Sequence, residues 1–294
     1  SEHKMFNGLV TVGEHVGFVY KDSRGMNTGN IYNNNLRGAF STSPLVPVYG
    51  ADGNYFSTVG SDWNPNDSNP YGTMMMNRYN QTKATSVDAN VYVQIEPIKN
   101  LKFRTVFAVN YGGSDYRSFT PIYKFTPQSG NGVTKVNQSD GSGISLVWTN
   151  TLTYDFDIKD HHLSALIGSE TTKYDGSYTS SYGVNLTAGF DDWEHAYVAN
   201  TDMSHTDRKV NGGPYDPSRG QSFFARLGWS WKDRYMINAT MRADGSSKFA
   251  KGHRWGYFPS VSAGWTLTEE DFMKSTASWL DFLKLRLSWG QVGN

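Results

Sequence analysis

Seven histidines, no cysteine and 27 carboxylates are what this 294-residue chain offers to catalysis or metal binding. Only His161 and His162 are adjacent. Neighbours on a strand point to opposite faces, so the pair is wrong for one metal ion and reads as a turn or rim pair. Without cysteine there is no disulfide framework and no thiolate site. No H-x-x-x-H helix, Walker loop or G-x-S-x-G elbow occurs. The expectation is a protein that is not an enzyme, with no catalytic residue, cofactor or resident metal. Asp62-x-Asn64-x-Asn66-Asp67 sets oxygen ligands at alternate positions, as calcium loops do. It lacks the central glycine and the bidentate glutamate, which favours a polar loop with Asx turns.

Recognition chemistry is better represented. The stretch Tyr55–Tyr71, YFSTVGSDWNPNDSNPY, sets Trp63 and Tyr71 among amides and carboxylates, and Asp191-Asp192-Trp193-Glu194 repeats the combination. Flat rings stack on sugar faces while amides read hydroxyls, so these three aromatics are candidate cargo contacts. They serve equally as contacts to a partner protein, whose interfaces are also rich in aromatics. In Arg242-Ala243-Asp244-Gly245-Ser246-Ser247 a strand would put Arg242 and Asp244 on one side. They either touch a ligand or neighbouring domain, or pair with charges on adjacent strands; the pairing reading is favoured.

The elements that must carry these residues alternate with period two. Leu101, Phe103, Thr105, Phe107, Val109 and Tyr111 share a face, after a strand Val91–Ile95 and a link through Pro97. Ile144 to Phe156 repeats the pattern with Asn150 as the polar exception, and Leu163, Ala165 and Ile167 return from a turn at Ile158–His161. Phe223 to Trp231 turns at Lys232-Asp233-Arg234 into Tyr235 to Ala243; Pro259 to Leu267 and Leu283 to Trp289 follow. Such runs are longer than the about 5–6 residues of ordinary strands and match the about 9–11 of a tilted membrane-spanning strand. Tight links trade with long polar stretches, Gly112–Gly143 and Asp175–Gly220, and Tyr154, Phe156, Trp229, Trp231 and Tyr235 gather beside the tight turns.

Composition agrees. Apolar residues make up 37% and charged residues 18%, both low for a soluble domain, while aromatics reach 15%. The predicted class is all-β, an antiparallel transmembrane β-barrel segment of ten to fourteen strands with long loops at one end and short turns at the other. Lipid shields Pro259, Val261, Ala263 and Trp265, and Asn238, Arg242, Asp244 and Arg286 face the lumen. Thr268-Glu269-Glu270-Asp271 has the form of a capping box, which predicts one short helix packed through Phe272 and Met273. With 27 basic against 27 acidic residues and no basic stripe, nucleic acid is not an expected partner. No apolar run is long enough for a membrane-spanning helix, and no signal peptide is read. Both ends read as the middle of something longer.

RYMINATMRADGSSKF, RWGYFPSVSAGW, EEDFMK and LKLRLSWGQVGN, in this order between Phe224 and Asn294, resemble the SusC/RagA branch of TonB-dependent outer-membrane transporters. Upstream, NIYNNNLRGAFSTSPLVPVY and NPYG resemble the early barrel of the same branch, while the central loops carry little of the likeness. The resemblance implies a 22-stranded barrel plugged by an N-terminal domain, a TonB-contacting segment, and a SusD-like surface lipoprotein closing the outer mouth as a lid. Cargo would be an oligosaccharide or, second, a peptide. Residues 1–294 would then be part of the barrel domain alone, with the plug and the final strands outside this chain. Outer-membrane lipid is the surrounding partner, and pairing of two transporters is compatible with the family. The rival classes are a passive porin-like barrel, an adhesion barrel, and a secreted glycan-binding β-sandwich.

Overall fold

The computed structural model describes residues 1–25, 34–63 and 67–293. The candidate calcium loop includes residues 64–66, which lie outside the described residues. Strands β1 (Glu2–Met5), β2 (Val10–Ser23), β3 (Asn80–Ile98) and β4 (Leu101–Thr120) open the chain, with helices α1 (Asn35–Ser41) and α2 (Pro70–Met76) between β2 and β3. A small hairpin, β5 (Tyr123–Lys124) and β6 (Gly130–Asn131), precedes the long pair β7 (Lys135–Ile158) and β8 (His161–Val184). Strands β9 (Lys209–Pro214), β10 (Ser218–Trp231), β11 (Tyr235–Ser246), β12 (Trp255–Thr266) and β13 (Lys284–Gly290) follow. All except β5 and β6 form one antiparallel 11-stranded sheet, in which neighbours in sequence are neighbours in space and β9 pairs only with β8.

The register answers which side is apolar. Residues directly opposite across a ladder share a face. Val91, Phe107 and Trp148 are opposed across β3, β4 and β7; Leu152 meets Ile167, Ala225 meets Met241, and Val261 meets Ala239 and Trp289. The apolar sides of β3, β4, β7, β8, β10, β11, β12 and β13 therefore merge into one surface. No second layer covers it: Ile167 is 58% and Leu227 63% exposed. A β-sandwich would bury this side, so that alternative fails. The polar Thr105 on this face is paired, its Oγ1 accepting from the Trp148 indole N–H at 2.9 Å. Glu14, on the same side of β2, is an interruption.

Strand length shows where that surface stops. β7 and β8 have 24 residues each, about 80 Å along the strand and about 55 Å of rise at a 45° tilt. The apolar side of β7 runs from Phe156 to Ile144, about 28 Å of rise, which matches a bilayer's hydrocarbon thickness. Beyond it the same side reads Ser142, Asp140, Gln138. The strands thus continue well past the apolar band. This corrects the expected loops at Gly112–Gly143 and Asp175–Gly220: most of the first and both ends of the second are strand, paired Gly112↔Gly143 up to Thr120↔Lys135 and Asp175↔Ile144 up to Val184↔Lys135. Water on both sides leaves no apolar period to read, while backbone pairing continues regardless.

At the opposite end the turns are tight. Asn100, Lys159, Lys232 and Asp233 take left-handed backbone angles, the twist that short hairpins require. The β3–β4 link is only Lys99-Asn100; Pro97 lies inside β3 beside a register shift at Ile95 and Ile98, so the expected turn at Pro97 is instead a bulge. An aromatic row lines these turns on the apolar face. Tyr154 stacks on Phe156 at 5.0 Å, His161 lies 6.3 Å from Trp231, Trp231 5.7 Å from Tyr235, and Tyr235 6.3 Å from Trp265. The expected capped helix at Thr268 does not form. Two 3-10 segments, Leu267–Glu269 and Asp271–Thr276, stand there, and Thr268 Oγ1 accepts from the Leu283 backbone N–H at 3.3 Å. The hydroxyl joins the two ends of the β12–β13 link rather than capping a helix.

At the long-loop end a small core forms. Phe119, Val136, Leu186, Ala196 and Val198 bury one another, with Tyr79 and Trp193 against them. Phe119 and Val136 are opposed positions on the apolar-side parity of β4 and β7, so the connection 185–208 folds over that flank of the wall.

Candidate functional site

Two regions position the polar side chains: the polar face of the sheet and the rim at the long-loop end. On the polar face, the β10–β11 and β11–β12 registers set Asn238 between Gly228 and Ser262, Arg242 between Phe224 and Phe258, and Asp244 between Ser222 and Gly256. Arg286 stands opposite Gly264 on the same side. All four sequence candidates for this face share it. Arg242 Nε donates to both Asp244 oxygens at 2.7 and 2.9 Å, and Nη2 reaches Glu170 Oε1 at 3.3 Å. Thr149 Oγ1 donates to the other Glu170 oxygen at 3.2 Å. The guanidinium lies 5.3 Å from the Phe224 ring, which itself covers Gly168. This is a charge ladder across β7, β8 and β11. Arg242 pairs with Asp244 on its own strand and with Glu170 on β8, beyond β10, and not with a charge on an adjacent strand.

The rim is built by the long connections. Asn69 caps α2, accepting from Gly72 N at 2.8 Å, and Pro70 fits the first helical turn. Its amide nitrogen donates to Val48 O at 2.8 Å, pinning the preceding loop. Tyr71, in that first turn, meets Tyr49 and Tyr55 edge-on at 6.4 and 6.0 Å and stays partly exposed. Trp63 packs edge-on against Phe56 at 5.7 Å. Trp193 has less freedom. Tyr79 stacks on it at 6.3 Å, and the Arg117 guanidinium sits 4.0 Å from its ring and 4.2 Å from Tyr197. The structure thus separates the three aromatics: Trp63 and Tyr71 belong to the loop before β3, and Trp193 is packed over the apolar-side flank. Nearby, His195 Nδ1 lies 2.8 Å from Asp192 Oδ1 and holds that carboxyl below its usual range.

Between these loops and the sheet lies a cleft of about 660 Å³. Thr120 and Lys135, an opposed pair on the polar-face parity, form its floor. Thr73 of α2, Asn77 just after it, and Thr126, Gln128 and Asn131 of the β5–β6 hairpin line it, and no carboxylate does among the described residues. Asn131 Nδ2 donates to Pro121 O at 2.9 Å, which ties the hairpin to β4. Sequence reading missed this cleft. Its only signal was the run of short polar residues in TPQSGNG after Phe125. Among the described residues no cluster of three or more metal-ligating side chains occurs.

Comparison with known proteins accounts for this architecture. The family described as "TonB dependent receptor-like, beta-barrel" matches residues 16–294. TonB-dependent receptor P26 of Formosa agariphila is 29% identical over 269 residues, covering 87% of this chain and 25% of the relative. TonB-dependent receptor SusC of Bacteroides thetaiotaomicron is 51% identical over 72 residues, which is 24% of this chain and 7% of that protein. In fold, the RagAB peptide importer in its open-open state superposes with a TM-score of 0.78 at 20% identity, over 98% of this chain and 31% of that one. The chain spans about a quarter of the length of the curated relatives that match it along most of its residues. Receptors of this family are transporters of the outer membrane. The chain belongs to the TonB-dependent receptor-like β-barrel family.

Proposed function

We propose that this chain forms part of the wall of an energy-coupled importer of oligosaccharides, working beneath a SusD-like surface lipoprotein and driven through TonB. The observation that carries the cargo reading is the rim cleft over Thr120 and Lys135. Amides and hydroxyls line it on the lumen side, with two cations, Arg37 and Lys135, and no acid among the described residues. Such a lining suits a polyhydroxylated, neutral or acidic chain more than a cationic peptide. Trp63 and Tyr71, on the loop beside it, are the proposed stacking contacts to cargo or lid. Trp193 is proposed as a lid contact through its edge and neighbouring loop.

The residues bind and pass cargo; no bond is made or broken. The Arg242–Asp244–Glu170 ladder keeps the lumen wall polar, with its arginine held between two carboxylates of the chain. The test is uptake of a labelled oligosaccharide panel by cells carrying the full-length protein. Uptake should stop when the proton-motive force is collapsed, and should fall when Ser129→Trp fills the cleft while the barrel still assembles. Uptake that survives the uncoupler would favour a passive pore. Uptake of peptides with no oligosaccharide transported would overturn the cargo.

A further inference from the structure

One connection at the tight-turn end is not short. Between β12 and β13 the chain runs from Leu267 to Leu283 through two 3-10 segments. It displays Phe272, Trp279 and Phe282 at 62, 74 and 65% exposure. Three large aromatics in water on so short a stretch are costly unless something covers them.

The anchoring of the segment says what covers them. Glu270 accepts from Arg234 Nη1 at 3.0 Å, from the Tyr235 hydroxyl at 2.5 Å and from Trp265 Nε1 at 2.9 Å. These donors come from the turn and ends of β11 and β12, so the start of the segment is fastened to the wall. Phe272 then rests edge-on against Trp265 at 6.5 Å. Trp265 ends the stacked row Trp231–Tyr235–Trp265 on the lipid side. Phe272 therefore continues the girdle, and Trp279 and Phe282 follow it on the same segment. The lumen lies on the opposite face of β12, where Gly264 stands opposite Arg286 of β13, so a domain inside the barrel meets the other side of this strand. Aromatic rings with a polar rim sit at the headgroup level of a bilayer.

We propose that Leu267–Phe282 is an interfacial foot: a segment lying in the headgroup layer of the periplasmic leaflet, with Phe272, Trp279 and Phe282 inserted among phospholipid chains, fixing the depth of this part of the wall. The proposal rests on the barrel reading, and its test separates the two. This chain has no cysteine. In the full-length protein, with any other cysteine replaced by serine, single nitroxides are placed by Trp279→Cys, Phe282→Cys, Glu269→Cys and Val261→Cys. The proteins are reconstituted in phosphatidylethanolamine–phosphatidylglycerol vesicles, and heat-modifiable gel mobility selects the folded ones. Collision with oxygen should exceed collision with a water-soluble nickel chelate at 279, 282 and 261, and the order should reverse at 269. Water contact at 279 and 282 with lipid contact at 261 would overturn the foot and leave the barrel intact. Shielding of 279 and 282 from both reagents would mean that protein covers them and would equally overturn it. Water contact at 261 would overturn the barrel reading itself. Two labels in the foot keep the test decisive if one substitution prevents assembly.

Discussion

Val261 and Ser262 are neighbours on β12 at one depth, with side chains on opposite faces: Val261 between Ala239 and Trp289, Ser262 between Asn238 and Ser288. Val261 lies four residues from the girdle residue Trp265, about 9–10 Å higher for a tilted strand. That is within a few ångströms of the middle of an apolar band about 25 Å tall. An arginine on the lipid face near the midplane costs about 2–4 kcal/mol. That corresponds to about a 30- to 900-fold loss in the folded-to-unfolded ratio. Ser262→Arg enters a wall that already carries Arg242 and Arg286 on the same face, and should cost within about 1 kcal/mol. The assay is a denaturant titration of the full-length protein folded into lipid vesicles, read by gel mobility and tryptophan fluorescence. Equal costs, or a larger cost for Ser262→Arg, would refute the face assignment on which everything above depends.

Phe119→Ala empties the small rim core and should cost about 3–5 kcal/mol locally; protease added to intact cells should then cut within 185–208 at least about 100-fold faster while barrel mobility on gels is unchanged. Tyr235 and Trp265 hold the Glu270 carboxyl below its ordinary value of 4.5. A depressed folded-state pKa means the tie is at full strength above the ordinary value and is lost as pH falls through the depressed one. Amide protection across Leu267–Ala277 should therefore stay flat from neutral pH down to that range and drop below it, and Glu270→Gln should abolish the pH dependence. A Cβ at Gly168 would stand 2.4 Å from the Phe224 ring, so Gly168→Ala should cost about 1–3 kcal/mol by overpacking, with Phe224→Leu in the same chain restoring most of it.

Which features were legible follows from where a solvent changes. Leu101–Tyr111 and Ile144–Phe156 announced themselves because one side meets hydrocarbon and the other water, so the residue period records the environment. Gly112–Thr120 and Lys135–Gly143 form the same ladder, yet both sides meet water or loops, and composition there has no reason to alternate. The strand Val10–Ser23 was missed for a related reason: Glu14 breaks the apolar run of Val10, Val12, Val16 and Phe18. The 3-10 link was misread because its Thr268 motif is a local pattern, while its hydroxyl answers to Leu283 across the link.

The site was less legible because its chemistry is shared across strands far apart in sequence. Parity alone placed Arg242 and Asp244 on one face, but Glu170, the partner of Arg242 across β10, is 72 positions upstream and only the register brings it near. The same holds for Trp193, whose companions Tyr79 and Arg117 come from β4 and the approach to β3. Aromatics on the lumen face mislead in a further way. Phe224 and Tyr92 look like breaks in the alternation, yet each lies over a glycine on the adjacent strand, Gly168 and Gly13, where any Cβ would collide with the ring. Such a pair gives a polar wall a flat, dry patch without adding bulk to the lumen, because the ring lies down where its neighbour has no side chain. A ring read in isolation counts as apolar surface; read with its glycine it is part of the lining. The geometry of this wall therefore follows from pairs across the ladder, and a sequence period sees only one member of each.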